Sequence, residues 1–305
     1  MIKKLKGVIL TVYILSFLTG CSANPKTEDV RYRVDNVKIF QNTPAWELAQ
    51  AVNKQNTKRI EQIVEKTPEI LNYKDPMYDI TLLFWAIGTE KMNSAEALLR
   101  LGANPNIISS HFDFSILYLA AGYSWIDTQV IKDPKFVKLL LDYDADPDLG
   151  YVGNDSSNIS ASVPTPLMRS IGCGIEKTKA LVEAGADINY RTDEGLTVAI
   201  HALMHGGPNR TLEMLKYSHY IIVEKKAEII KPWLGKESDE ELAPVNLLRN
   251  WIYPLDSDRY IIKMEIVDEF VQQGEDYWST EITEHQFNQI RKLYPDSWED
   301  YITRY

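Results

Sequence analysis

The stretch from Thr165 to Tyr190, TPLMRSIGCGIEKTKALVEAGADINY, writes one complete structural unit. Thr165 can cap the free N–H groups of a first helical turn, and Pro166 follows where its missing N–H is not needed. Gly172 and Gly174 interrupt this first short helix. Lys177 to Glu183 then carries Ala180, Leu181 and, a turn on, Ala184, which puts one face of a second helix against the first. Gly185 ends that helix as a left-handed cap, and Ala186-Asp187-Ile188-Asn189 leads into a turn. A unit this small packs on its neighbours or not at all, so copies of it dictate a stack.

The copies are there. Thr81 to Ile87 is followed by Leu98-Leu99-Arg100-Leu101-Gly102-Ala103-Asn104-Pro105-Asn106, and Ser115 to Gly122 by Leu140-Leu141-Asp142-Tyr143-Asp144-Ala145-Asp146-Pro147-Asp148. A further start, Gly195 to Leu203, comes straight after the opening unit. Start-to-start spacings are 38 residues from Thr43 to Thr81, 34 to Ser115, 50 to Thr165 and 32 to Thr197. The long interval places extra residues around Tyr123 to Asp133, between the helices of one unit, and in a Gly/Asn/Ser-rich loop within 149–164. Three tails and four starts in register resemble the ankyrin repeat, which opens on Thr-Pro-Leu, pairs two antiparallel helices and closes on Gly-Ala-Asp-x-Asn. The resemblance implies an all-α solenoid of about five to six repeats, some degenerate. It also implies that the loops between one tail and the next start line an edge of the concave face, where insertions serve binding.

Ahead of the repeats, Lys3, Lys4 and Lys6 precede an apolar run from Val8 to Leu18, too short to span a bilayer comfortably and shaped like a secretory signal. It ends in Leu18-Thr19-Gly20-Cys21, which resembles the bacterial lipobox. That resemblance makes 1–20 a cleaved signal peptide and Cys21 the lipidated first residue of the mature chain. Ser22, in place of aspartate, implies the outer membrane of a Gram-negative cell, facing the periplasm. Two or three lipid chains suffice to anchor a water-soluble body, and the polar segment 21–41 reads as its tether. Loss of the three leader lysines would leave 30 basic side chains against 43 acidic ones. Such a balance argues against nucleic acid as a partner and fits either a basic partner or plain solubility. With Cys21 lipidated, Cys173 is the remaining thiol and reads as a small packed residue.

The outer units are worn. Thr43 to Ala51 and Arg59 to Val64 keep the start and second helix but lack the glycine-alanine tail, as a capping repeat would. Beyond Leu203 the pattern weakens; Thr211 to Gly235 reads as long helix or helices, and Ala243 to Asp276 as a worn repeat. Tyr277, Trp278, Phe287, Tyr294, Trp298, Tyr301 and Tyr305 make an aromatic end that can seal the stack or present a partner surface. The layout is thus repeats over 42–220 and a divergent repeat with a helical cap over 221–305.

Catalytic signatures are nearly absent from the sequence. His201 and His205 stand one helical turn apart, but the glutamate of an H-E-x-x-H site is missing and no third ligand is suggested by spacing, so no metal is assigned. No nucleophile elbow, phosphate loop or dinucleotide fingerprint occurs, and no cofactor is expected. Contacts to another protein, by register, fall to Tyr78 and Asp79, to His111, Phe112 and Asp113, to Tyr151, Asn154 and Asp155, and to Arg191, Asp193 and Glu194. Leader, lipobox, repeats and lack of catalytic motifs together resemble the immunity lipoproteins that neutralise phospholipase effectors of type VI secretion. The resemblance implies a non-catalytic protein binding such a toxin in the periplasm. A periplasmic scaffold or envelope-maintenance lipoprotein fits the same features, and an enzyme with its site after Thr211 is the remaining alternative.

Overall fold

Four successive units open on a hydroxyl. Thr81, Ser115, Thr165 and Thr197 accept from the N–H three residues on, that of Phe84, Tyr118, Met168 and Ile200, at 3.0 to 3.3 Å. These caps start four short helices: α3 (Leu82–Gly88), α5 (Ile116–Ala121), α7 (Pro166–Ser170) and α9 (Val198–Met204). Each is followed by a second helix: α4 (Met92–Arg100), α6 (Lys135–Asp142), α8 (Ile175–Glu183) and α10 (Leu212–Ser218). Before them stands the pair α1 (Trp46–Asn53) and α2 (Thr57–Lys66). The computed structural model describes residues 31–126, 132–153, 162–207, 210–234 and 241–305, and Tyr32–Tyr305 form one unit. The leader, Cys21, Asn154 and Asp155 lie outside the described residues.

First helices stack on first helices, α1 on α3, α3 on α5, α5 on α7 and α7 on α9, while α2 meets α4, α6 meets α8 and α8 meets α10. The core is continuous along this stack, from Ile39 and Phe40 through Leu83, Leu117, Leu167 and Leu203 to Phe270. The tails supply the polar counterpart. Ala103, Ala145 and Ala186 each donate an N–H to the carbonyl five residues back, and the residue before each alanine is left-handed: Gly102 at φ 92°, Asp144 at 61° and Gly185 at 93°. Glycine takes that conformation freely; Asp144 does so because a short polar side chain tolerates it.

The tail then binds the next one. Asn72, Asn106, Asp148 and Asn189 accept through Oδ1 from the N–H of Asn104, Asp146, Asp187 and Glu228, at 2.8 to 2.9 Å. Three of these rungs are amides. At the fourth, burial and the nearby Asp187 and Asp146 carboxylates raise the Asp148 pKa despite the bond from the Asp187 N–H.

The helix expected over Thr211–Gly235 ends at Glu224. After α10 the chain widens into a π-helical turn, His219–Glu224, and closes the same tail as the other units. Lys226 is left-handed at φ 58°, and the Ala227 N–H reaches back six residues, to the Ile221 carbonyl, instead of five. The π turn absorbs that extra residue. A short antiparallel pair follows, β3 (Trp233–Leu234) with β4 (Glu241–Leu242), then a 3-10 turn, Pro244–Asn250, and α11 (Asp258–Gln272). Gln273 continues the rungs, accepting from the Ile229 N–H and donating to the Ala227 carbonyl.

Helices α12 (Glu284–Leu293) and α13 (Trp298–Arg304) close the far end over a small second core of Ile290, Tyr301 and Tyr305. Tyr277, Tyr301 and Tyr305 are buried there, whereas Trp278 is half exposed and seals nothing. Arg249 is the pin. Its guanidinium donates to Thr280 Oγ1, to the Tyr277 and Thr280 carbonyls and to the Tyr305 carbonyl, and lies 4.0 Å from the Tyr277 ring centroid. Lys263, fully buried, donates to the Trp251 carbonyl and packs 4.0 Å from the Tyr305 ring. Burial, then the neighbouring Arg249 charge, pushes its pKa well below the usual amine value, so two cations share this core because one of them can stay neutral.

Two outcomes are expected in chemical denaturation. Arg249→Met strands several buried carbonyls and should cost about 3 kcal/mol or more. Asp148→Asn turns the odd rung into an amide like its neighbours and, because solvent screens this exposed carboxylate, should add no more than about 0.5 kcal/mol at pH 7.

Candidate interaction surface

The starts are joined by extended fingers, and the best formed is a hairpin of β1 (Ile108–Ser109) and β2 (Phe114–Ser115). Its turn holds His111, Phe112 and Asp113, with Asp113 left-handed at φ 57°. Ser109 Oγ organises it, donating to the Tyr78 carbonyl and accepting from the His111 and Phe112 N–H groups. Asp79, left-handed at φ 51°, ties the preceding finger to this one: its carboxylate accepts from Lys74 Nζ at 2.8 Å and from the Ser110 N–H and Oγ. Burial opposes ionisation of Asp79, but these donors outweigh it and hold the carboxyl below its usual range.

The result is an aromatic row. Tyr78 stacks on Phe112 at 6.0 Å, with His111 edge-on to both at 5.0 and 4.8 Å. Phe112 in turn packs on Phe114 at 5.4 Å and on Trp125 at 5.9 Å. His111 is exposed and Tyr78, Phe112, Phe114 and Trp125 are half-buried, so the row is open to solvent along its edge.

Trp125, Phe114 and Tyr123 join this surface without standing at a repeat's tail-to-start edge in the sequence register. After α5 the chain folds back over α3, where the Trp125 N–H donates to the Gly88 carbonyl at 2.9 Å and its indole covers Gly88. A Cβ at Gly88 would stand 2.3 Å from that ring. Ser124 Oγ donates to Glu90 at 2.6 Å, and the Arg169 guanidinium lies over both Tyr118 and Tyr123, at 5.7 and 5.3 Å. The sequence signal for this fold-back is two aromatics, Tyr123 and Trp125, close together in the insertion. Lys177 holds the base of the fold-back from α8, its Nζ donating to the Ala120 and Gly122 carbonyls at 2.9 Å each. Burial pulls this amine down to about 8, with Cys173 and Asp133 working in the opposite direction. Beside it a cavity of about 20 Å³, lined by Ile87, Tyr123, Ser124, Asp133 and Phe136, has room for one water. Cys173 is buried nearby, its thiol pushed up chiefly by that burial.

The other residues expected at the edge divide. Tyr151 is buried, not presented: it bridges to Phe114, its N–H donates to the Pro164 carbonyl at 2.7 Å, and Val152 donates to Asp113. Gly150 lets those strands meet, since a Cβ there would fall 1.8 Å from the Pro164 carbonyl oxygen. Arg191, Asp193 and Glu194 are exposed but belong to a separate finger, which Arg191 ties to the Pro232 carbonyl and Glu194 to the Leu234 N–H. Asn154 and Asp155 fall outside the described residues. His205 sits against Gly172 and 6.1 Å from Tyr217, its pKa lowered by burial and then by Arg210. Among the described residues no three His, Cys, Asp or Glu side chains converge on a point that could hold a metal ion.

No family model matches the chain and no curated protein matches it. Among solved structures it is similar to EF0377, described as an ankyrin repeat protein, at 17% identity and a TM-score of 0.50, over 79% of this chain and 99% of the other. The fold is an all-α ankyrin-repeat solenoid.

The depressed Lys177 amine sets a pH dependence. Its folded pKa of about 8 lies below the unfolded 10.5, so between these values the unfolded chain binds more protons and stability rises with pH. Urea denaturation at pH 7 and pH 9 should show a gain of about 1 kcal/mol, and Lys177→Met should remove that increment.

Proposed function

We propose that this protein is a non-catalytic binder that docks another protein on the aromatic hairpin edge of its second and third units. The observation that carries the reading is the row Tyr78, His111, Phe112, Phe114 and Trp125: large rings packed on the core along one side, carried by fingers that backbone and hydroxyl bonds fix, and left open along the other. Such rings give much contact area for little lost side-chain entropy, the composition of binding hot spots. The fixed fingers lower the cost of association further.

The leader and Leu18-Thr19-Gly20-Cys21 support a lipid-anchored protein of the Gram-negative envelope, facing the periplasm. An acidic, anchored repeat array with an aromatic docking edge suits an immunity protein that occludes a phospholipase effector of type VI secretion before it reaches the membrane. Occlusion needs only a rigid complementary surface, which a stack of capped units provides.

The test is affinity capture from envelope extract with the chain from Ser22 onward. Capture of one lipase, whose hydrolysis of phospholipid vesicles falls to zero at one equivalent of this protein, is the expected result. Phe112→Ala and Trp125→Ala should each weaken that complex by about thirtyfold or more, against little change for Asp193→Ala on the separate finger. Capture of resident envelope proteins without a lipase would replace the toxin reading with a scaffold.

A further inference from the structure

The chain enters the fold at the aromatic row. The Tyr78 hydroxyl donates to the Tyr32 carbonyl at 2.7 Å, so Tyr32 joins the body beside the first ring. Ten residues, Ser22 to Arg31, separate it from Cys21. Even fully extended, that stretch reaches no more than about 40 Å. A lipid on Cys21 would therefore keep the row close to the bilayer. The stretch itself, Ser-Ala-Asn-Pro-Lys-Thr-Glu-Asp-Val-Arg, is too polar to be what covers the rings.

Aliphatic side chains carry the apolar surface on past the rings at both ends. Val152, whose N–H donates to the Asp113 carbonyl at 2.7 Å, is 52% exposed, and Ile126, next to Trp125, is 56% exposed. Apolar groups left in water beside an open aromatic row mark an interaction site. The charges along this surface are negative. Asp79 is paired with Lys74 at 2.8 Å. Asp113, in the hairpin turn, and Glu90, which accepts from Ser124 Oγ beside Trp125, have no ion-pair partner among the described residues.

We propose, building on the docking edge inferred above, that this surface takes the membrane-docking face of its partner, an apolar patch ringed by lysine and arginine. A peripheral protein that settles on an anionic bilayer buries such apolar side chains at the acyl boundary and sets its basic ones against the headgroups. The edge offers both halves of that environment, rings in place of acyl chains and the Asp113 and Glu90 carboxylates in place of phosphates. Its junction at Tyr32 holds it where such a face arrives. A partner bound this way has lost the surface it needs to settle on lipid, so its approach to the membrane is stopped. The bilayer is the poorer occupant, because a chain of net charge −10 is repelled by anionic headgroups.

Calorimetric titration of the chain from Ser22 onward, which keeps the Tyr32–Tyr305 unit whole, tests the inference with a helical peptide of leucine on one face and lysine on the other. This peptide should saturate one site, and the matching leucine–glutamate and serine–lysine peptides should bind at least about tenfold more weakly. Asp113→Asn combined with Glu90→Gln, which keeps both side-chain shapes, should weaken the leucine–lysine peptide about tenfold, and Phe112→Ala should do so by about tenfold or more. Asp193→Asn, on the separate finger, should change nothing. No saturation, equal binding of the leucine–glutamate peptide, or full affinity in either edge variant would each overturn the inference. So would binding of phosphatidylglycerol vesicles by the chain itself if Phe112→Ala abolished it, since the edge would then be a lipid-binding surface. The edge and the nature of its partner fail separately. A captured protein that Phe112→Ala releases but the leucine–lysine peptide does not displace leaves the edge standing and overturns this inference; a captured protein indifferent to Phe112→Ala overturns the edge itself.

Discussion

The bond from one tail to the next is the constraint on which the structure depends. Each unit is two short helices, too short to hold themselves in water, and what fixes their spacing is the side chain of Asn72, Asn106, Asp148 or Asn189 reaching the backbone N–H of the following tail. These bonds satisfy donors that a turn would otherwise leave open, and they do so only when neighbouring units are in register. Hydrophobic burial drives the stacking; the rungs decide which stacking. The left-handed residue before each tail alanine belongs to the same device, since it turns the chain so that the rung can form.

Local departures from this plan mark where the molecule is specialised. Between α5 and α6 the inserted chain doubles back, and Gly88 receives an indole where another residue would have blocked it. At the fifth unit an added residue is taken up in the π turn, leaving the Ala227 tail in register while redirecting His219 and Tyr220. At the far end Arg249 gathers the carbonyls of Tyr277, Thr280 and Tyr305, so the cap is held by one charged fork as much as by its rings. In each case the frame absorbs the irregularity and the side chains around it gain a new surface.

Much of the frame was legible from residue order alone. Thr165 read as a cap and Thr81, Ser115 and Thr197 as the starts of its copies; all four are caps, because capping is decided within three residues. Gly185 read as a helix end for an equally local reason, and it is left-handed at φ 93°. Tyr78, His111 and Phe112 were placed at the edge by register, and the hairpin brings them together. Tyr151 was placed beside them and is buried, because its fate depends on the Phe114 strand far back in the chain. Trp125 and Phe114 were missed as members of the row for the same reason: nothing near them in sequence says that α3 lies underneath.

The sequence by itself determined the repeat, its period and the polarity of each unit, since these rest on caps, turns and apolar spacing within a few residues. Tertiary structure alone decided which rings share a surface and that Arg249 and Lys263 lie buried together. Those outcomes depend on contacts between residues tens of positions apart, whose geometry is set only when the units have stacked.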